Sequence, residues 1–406
     1  MIEIQHTSIE TALALRQLGN QGAAGFMERA LRPFGTRAPG TDRPATPGTW
    51  LLRIHSDAIF DRAGIQAVTR RIERYRGSAS ELRLELELPP EAWRDYYSLQ
   101  CDAPGERATI ELPMSVSRLE GDGSSAVLII KLRWIETPLR FPGALAPATV
   151  NATPTALLMR YSCDHDVLFA NQVLVFSELA GEISRSPWTW IKAACSRLPG
   201  KWAERIPPSF RKVHPSARVH PTAVIEGSAI GKGSRVGAHC VVRYSRIGEG
   251  VQLHDGAKVE YSVVDDNSWL MHDLVLYRCH VEPDVFLIHG PYQFSCFQRG
   301  SAAFATIMMD YRPDGRPIKV QTEGGVRAYA GRFIGALMEE GSKVVGGSLL
   351  APGITVPRER TVGPPADQLI RPKTLGEFVM NPPFVPARGG IVQREVADSE
   401  SSAGRR

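Results

Sequence analysis

The stretch Tyr244–Gly290, YSRIGEGVQLHDGAKVEYSVVDDNSWLMHDLVLYRCHVEPDVFLIHG, is rich in Val, Ile and Leu. It follows neither the helical period nor the strict alternation of a strand. Its aliphatic residues instead return every five or six positions, through Ile247, Leu253, Val259, Val264, Leu270, Leu276, Val281 and Leu287. Four segments align at one fixed spacing: SAIGKG from Ser228, SRIGEG from Ser245, SVVDDN from Ser262 and CHVEPD from Cys279. A fixed period of this kind marks a solenoid, in which one unit cannot bury its core alone and neighbours must stack. The pattern predicts a three-sided coil with one aliphatic side chain pointing inward from each face. Small residues and Gly fall at the corners, where positive φ is often required. Successive turns then pair as parallel strands about 4.8 Å apart.

The same rhythm runs upstream through VHPSARVHPTAVIEGSAIGKGSRVGAHCVV, residues 213–242, and resumes in FIGALMEEGSKVVGGSLLAPGITVP, residues 333–357. These segments resemble the hexapeptide-repeat family, whose fold is a left-handed parallel β-helix. The resemblance implies a homotrimer, with flat faces buried between copies. Between 290 and 332 the rhythm stops, and PYQFSCFQRGSAAFATIMMDYRPDGRPIKVQTEGGVRAYAG reads as a loop or hairpin excursion. Long excursions from a regular scaffold tend to be functional or disordered, and the aromatic and aliphatic content of this one argues for order.

Residues 1–182 mix strand and helix patterns and predict an α/β domain. TWLLRIHSDAIFD reads as a buried strand and a polar turn, and RAGIQAVTRRIERYRG as an amphipathic helix ending at Gly77. SELRLELELPP and AVLIIKLRWIETP read as strands, and DVLFANQVLVFSELAGEI as a helix. Residues 183–212, with prolines and three tryptophans, form a helical connector; 358–406 are a C-terminal extension expected to be disordered after about 387.

The chain has 406 residues and a formal net charge of +5, with arginines scattered, so no nucleic-acid stripe is expected. Six cysteines without a CxxC pair fit reduced thiols in a cytoplasmic protein. The first residues do not read as a signal peptide, and no apolar run approaches the roughly 20 residues that span a bilayer.

An α/β domain followed by a β-helix resembles the bifunctional family that makes UDP-N-acetylglucosamine, which joins a sugar-phosphate nucleotidyltransferase to a β-helical acetyltransferase. HGPY supplies His289 and Tyr292, and DYRPDGRPIK supplies Tyr311, Asp314, Gly315 and Lys319, in the order of that family's parts. The resemblance implies acyl transfer from an acyl-CoA co-substrate to an amine of a sugar phosphate. His289 would be the general base, and Tyr292, Tyr311, Arg316 and Lys319 would hold substrate, in a cleft shared with a neighbouring subunit. In the N-terminal domain, Asp57, with Asp61 as second choice, takes the position of the family's metal-binding Asp, and Asn171 that of its Asn near the domain end. A strand followed by Gly-x-Gly-Thr-Arg is missing; FGTRAPG follows a helix-like segment instead. The domain is therefore expected to be nucleotidyltransferase-like but degenerate, needing Mg²⁺ only if it is active.

Two other readings stand beside this one. Seven of the ten histidines lie between 213 and 290, and Asp255, His272 and His289 are each one 17-residue period apart. A column of such ligands on adjacent rungs could hold Zn²⁺ or a similar ion across a trimer interface, as in β-helical carbonic anhydrases. Alternatively, the chain is a non-catalytic trimeric scaffold that keeps the fold of its enzyme relatives.

Overall fold

The computed structural model describes residues 2–6, 18, 21–34, 36–37, 49–100, 109–118, 120–139, 149–185, 211–322 and 325–364. The expected connector beyond 185 and the extension beyond 364 lie outside the described residues.

The N-terminal domain is built on a six-stranded mixed sheet. Its strands are β1 (Ile2–His6), β2 (Thr36–Arg37), β3 (Trp50–Ile54), β5 (Glu81–Glu87), β6 (Thr109–Arg118) and β7 (Ser125–Lys131), in the spatial order β2-β1-β3-β6-β5-β7. Strand β4 (Ala58–Phe60) lies apart and pairs with Leu158–Arg160. β1 and β3 run parallel, β6 reverses, and β5 and β7 run parallel to each other. The alternation in ELRLELE puts Leu82, Leu84 and Leu86 inside and the charged residues between them outside. Three helices matter below: α1 (Ala23–Leu31), α2 (Arg62–Glu73) and α3 (Asp164–Arg185). Helix α2 buries Ile65, Val68 and Ile72 at helical spacing. It stops at Glu73 rather than at Gly77, and AVLIIKLRWIETP is broken into two strands after Lys131. Strand β1 has no counterpart among the elements the sequence pattern announces. It is nonetheless interior to the sheet, and the Thr36–Arg37 of FGTRAPG forms the edge strand that pairs with it.

From Lys212 the chain becomes a coil of short parallel strands in three sheets, which fits a left-handed β-helix. The repeat sets the register: Val219 faces Val236, then Leu253, Leu270 and Leu287, and Ile230 faces Ile247, Val264 and Val281. From Ile230 and Val236 onward these rungs are buried and form one continuous core. The repeated serine also has a role. Ser228 Oγ accepts from Ser245 N–H at 3.0 Å, Ser245 Oγ from Ser262 N–H at 3.1 Å, and Ser262 Oγ from Cys279 N–H at 3.0 Å. This ladder satisfies one buried corner amide per coil.

The excursion is shorter than 290–332. One more coil follows, through Tyr292, Phe297, Ala303 and Met308, and only then does the chain leave, returning at Leu337–Met338 beside Cys296–Phe297. This coil is shorter than its predecessors by a single position, seen in Val281 facing Phe297 and Leu287 facing Ala303. Aromatic and small side chains replace its aliphatic rungs, so the sequence rhythm lapses while the stacking continues. The coil also runs past Pro357 to Thr361–Val362.

The excursion docks the two domains. Its hairpin, Ile318–Thr322 with Gly325–Tyr329, places Ile318, Val320 and Tyr329 in the core of the α/β domain. Tyr329 stacks on Phe169 of α3, with ring centroids 5.7 Å apart, and its hydroxyl donates to the Asp95 carbonyl at 2.9 Å. Arg327 Nη1 donates to the Leu99 carbonyl at 2.9 Å. Helix α3 lies along the coil face: Leu168 meets Cys296 and Leu337, Val175 meets Tyr244 and Val263, and Phe176 stacks on Tyr261 at 5.6 Å. Tyr329→Phe keeps the stack and loses one hydrogen bond, so unfolding in urea is expected to show a loss of about 1 kcal/mol.

Candidate functional site

The site built from the sequence centres on the corner His289-Gly290-Pro291, where the contracted coil drops its residue. His289 is exposed and takes φ 46°, the left-handed corner conformation of Asp273 in the coil before it. Its side chain makes no hydrogen bond among the described residues. The contraction also breaks the proposed metal column. Strand register alone aligns Asp255, His272 and His289, but His289 occupies the corner that Asp273, not His272, holds one coil earlier. Asp255 Oδ1 accepts from Ala238 N–H at 2.7 Å, toward the preceding coil, and the His272 ring lies 4.9 Å from that of His254. Within one chain, no cluster of three His, Cys, Asp or Glu side chains able to hold a metal occurs among the described residues.

Tyr292 is not a substrate ligand. Its ring is buried in the coil core, edge-on to Phe297 at 5.3 Å, and its hydroxyl donates to the Ile288 carbonyl at 3.1 Å. Burial pushes its phenol up to about 12. Through the hydroxyl bond the ring is tied to the residue just before His289.

The next corner lies directly on that of His289, with Ala305 N–H donating to the Ile288 carbonyl at 2.9 Å. From there the chain runs through Met308 into Asp310 and Tyr311. Tyr311 is exposed, with its ring 6.4 Å from Phe333. Asp314 is held by Arg312, which pulls its carboxyl down to about 2, and it accepts from Arg316 N–H at 3.1 Å. The Arg316 guanidinium is largely exposed and lies 3.9 Å from the same carboxylate. Lys319 alternates with Ile318 and Val320, so it points away from the α/β core into which they pack. Among the described residues, no hydrogen bond or ion pair joins His289 to Tyr311, Arg316 or Lys319.

In the α/β domain the proposed metal residues are not brought together. Asp57 pairs with Arg160 at 3.4 Å. Asp61 is the N-cap of α2, accepting from Gly64 N–H at 2.7 Å and Leu157 N–H at 3.1 Å. Asn171 is buried in α3 and donates to the Val167 carbonyl at 3.0 Å. A single carboxylate already bound to an arginine does not fit Mg²⁺.

Three features escape the sequence reading. Asp310, in the apolar context MMDY, is pushed up to about 6 by burial. Its folded form holds a proton more tightly than the unfolded chain does. The contribution is therefore full below the ordinary carboxylate range and is lost as pH rises toward 6. Asp310→Asn is expected to raise the melting temperature at pH 8 and leave it unchanged at pH 4, which thermal scans at the two pH values check. Second, Asp265 Oδ2 lies 3.1 Å from His280 Nε2, and His280 Nδ1 lies 3.9 Å from Cys296 Sγ. All three are buried, and the thiol is sealed under Leu168 and Leu337. Third, Arg278 is 1% exposed and surrounded by the rings of Phe176, Tyr261, Tyr277 and Phe294 at 5.6–5.9 Å. The alignment of repeats places 263 and 280 in one column; the contracted coil that adds 296 to it, and the helix that covers it, are not legible there.

No protein-family model matches the chain, and no curated protein matches it at a significant level. Among solved structures, a hexapeptide transferase family protein from Anaplasma phagocytophilum is 20% identical over 38% of this chain and 74% of its own, with a TM-score of 0.25. The acetyltransferase domain of PglB from Neisseria gonorrhoeae is 20% identical over 40% of this chain and 56% of its own, with a TM-score of 0.14. UDP-N-acetylglucosamine O-acyltransferase from Moraxella catarrhalis is 13% identical over 35% of this chain and 65% of its own, with a TM-score of 0.16. The chain thus spans less than two thirds of the length of the last two structures.

Proposed function

We propose that the coiled domain transfers an acyl group from a thioester such as acetyl-CoA to the amine of a sugar phosphate or a related small molecule. The observation that carries this reading is the contracted corner. His289 stands exposed on the corner of the coil that is one position short, next to the buried Tyr292. A neutral imidazole there takes the amine proton as nitrogen attacks the thioester carbonyl. The C–N bond forms, the C–S bond breaks, and the coenzyme leaves as a thiol after taking up a proton. Arg316 and Lys319, both exposed on the excursion, supply cations for a phosphate of the acceptor.

Ile307 and Leu349 face each other on one side of the coil and are 59% and 54% exposed. Apolar residues so placed support assembly of copies through this side, as a homotrimer whose neighbour completes the cleft. The α/β domain, which packs on the coil through α3 and the hairpin, would position it. No helix among the described residues is long and apolar enough to cross a membrane.

A second reading, the non-catalytic scaffold, is favoured by one observation: much of the excursion holds the two domains together. The two are separated by incubating the full chain with labelled acetyl-CoA and a panel of amino-sugar phosphates, while following its melting temperature. Label appearing on an amine, with acetyl-CoA raising the melting temperature, supports acyl transfer. A flat response to the coenzyme and no labelled product leaves the scaffold.

A further inference from the structure

We propose that a basic groove on the α/β domain binds a small molecule carrying clustered phosphates, at a site separate from the coil and independent of acyl transfer. The groove, of about 640 Å³, lies between α2 and β7. That volume is within the range of small-molecule sites. Arg70, Arg71 and Arg74 line it from the helix, and Lys131 and Arg133 from the end of β7 and the turn after it. No Asp or Glu lines it. The whole chain carries a formal net charge of +5, so five cations in one groove are a local concentration of charge.

Internal needs account for only part of this. Positions 70, 71 and 74 lie at the C-terminal end of α2, where the helix dipole favours cations, but Arg70 and Arg74 are four positions apart and repel each other. Lys131 and Arg133 belong to another element and have no dipole to complement. Arg71 Nε donates to the Ile129 carbonyl at 3.1 Å, which anchors the side chain and leaves its terminal nitrogens for a ligand. Lys131 pairs with Glu87 at 2.9 Å, outside the groove lining. Among the described residues, Arg70, Arg74 and Arg133 have no ion pair. Three arginines without carboxylates present planar donor forks, which match phosphate oxygens in bidentate fashion. Small residues at Ala63, Ala67 and Ala156 leave room for the body of the ligand beside them.

Titration of the full chain by calorimetry, with ATP and inorganic pyrophosphate as probes at low salt, tests this. One saturable site per chain is expected, weakening as salt rises. Arg70→Gln with Arg74→Gln should lower affinity about 100-fold, tenfold (about 1.4 kcal/mol) for each lost contact. Without ligand, the melting temperature of this variant should stay close to that of the parent chain, because the repulsion relieved offsets the helix-dipole interaction lost. If the pair fails to fold, Arg133→Gln, on a turn, should alone lower affinity about tenfold. The proposal fails if neither probe gives heat, or if the variants bind as tightly as the parent chain. It also fails if a duplex DNA oligonucleotide binds more tightly than ATP at equal salt and is lost in the same variants, which would make the groove part of a polymer-binding face.

Discussion

Replacing His289 with Asn is expected to lower acetyl transfer about 10²–10⁴-fold, the usual contribution of a positioned general base. The loss should fall on kcat rather than KM, because the imidazole acts while the amine proton moves. His289 is exposed and its side chain has no hydrogen bond among the described residues, so its removal leaves the coil intact. The melting temperature should therefore match that of the parent chain. Asn also tolerates the left-handed conformation that φ 46° imposes, which makes it a cleaner test than a β-branched residue. Undiminished turnover in His289→Asn would remove the imidazole from the mechanism. Tyr292→Phe keeps the buried ring and loses the hydroxyl that bonds the Ile288 carbonyl; a moderate fall in rate there would mark Tyr292 as a positioning residue.

The largest loss of stability is expected at Arg278, where Arg278→Ala should cost about 3–5 kcal/mol in urea unfolding. The guanidinium is buried where the domains meet. Nη1 reaches the Tyr96 hydroxyl at 3.3 Å, and four aromatic faces or edges surround the charge. A desolvated cation over such rings gains about 2 kcal/mol or more, and truncation also leaves a cavity. Arg278→Met fills the same space without the charge and should cost less. The chain around it is fixed as well: Gln172 Nε2 donates to the Arg278 carbonyl at 3.0 Å. If the alanine variant loosens α3 from the coil, Cys296 becomes reactive toward a thiol reagent under conditions in which the parent chain protects it. An alanine variant within about 1 kcal/mol of the parent, a difference ordinary for a surface change, with Cys296 still protected, would show that the charge does not hold the domains.

The coil can be read from the sequence because its stability depends on one simple repetition: an aliphatic side chain on each face, returning at the same place in the next turn. Where that chemistry changes, the reading stops. Tyr292, Phe297, Ala303 and Met308 occupy the same rungs as Leu276, Val281, Leu287 and their predecessors, but their volumes differ and a position is missing. A periodic pattern cannot register an aromatic ring that substitutes for an aliphatic plus a backbone unit. The hairpin shows a different limit. The alternation of Ile318 and Val320 with Lys319 and Gln321 announces a strand with one apolar face, yet nothing local says that the face belongs to a core formed far upstream in the chain. The candidate site is only half legible for the same reason. His289 falls at an exposed corner as its sequence context implies, whereas Tyr292 turns inward because the contraction reverses its side.

The arm between Met308 and Gly335 separates two rungs that touch, since Phe297 and Met338 are paired neighbours. A growing solenoid ordinarily adds each rung onto the previous one at the small entropic cost of a short closure. Here the final rungs, up to Val362, close a longer loop, and capture of the intervening arm by the α/β core is expected to precede them. Assembly of the C-terminal end is therefore timed by maturation of the N-terminal half, and the last rungs should gain protection from hydrogen exchange only after helix α3 has done so.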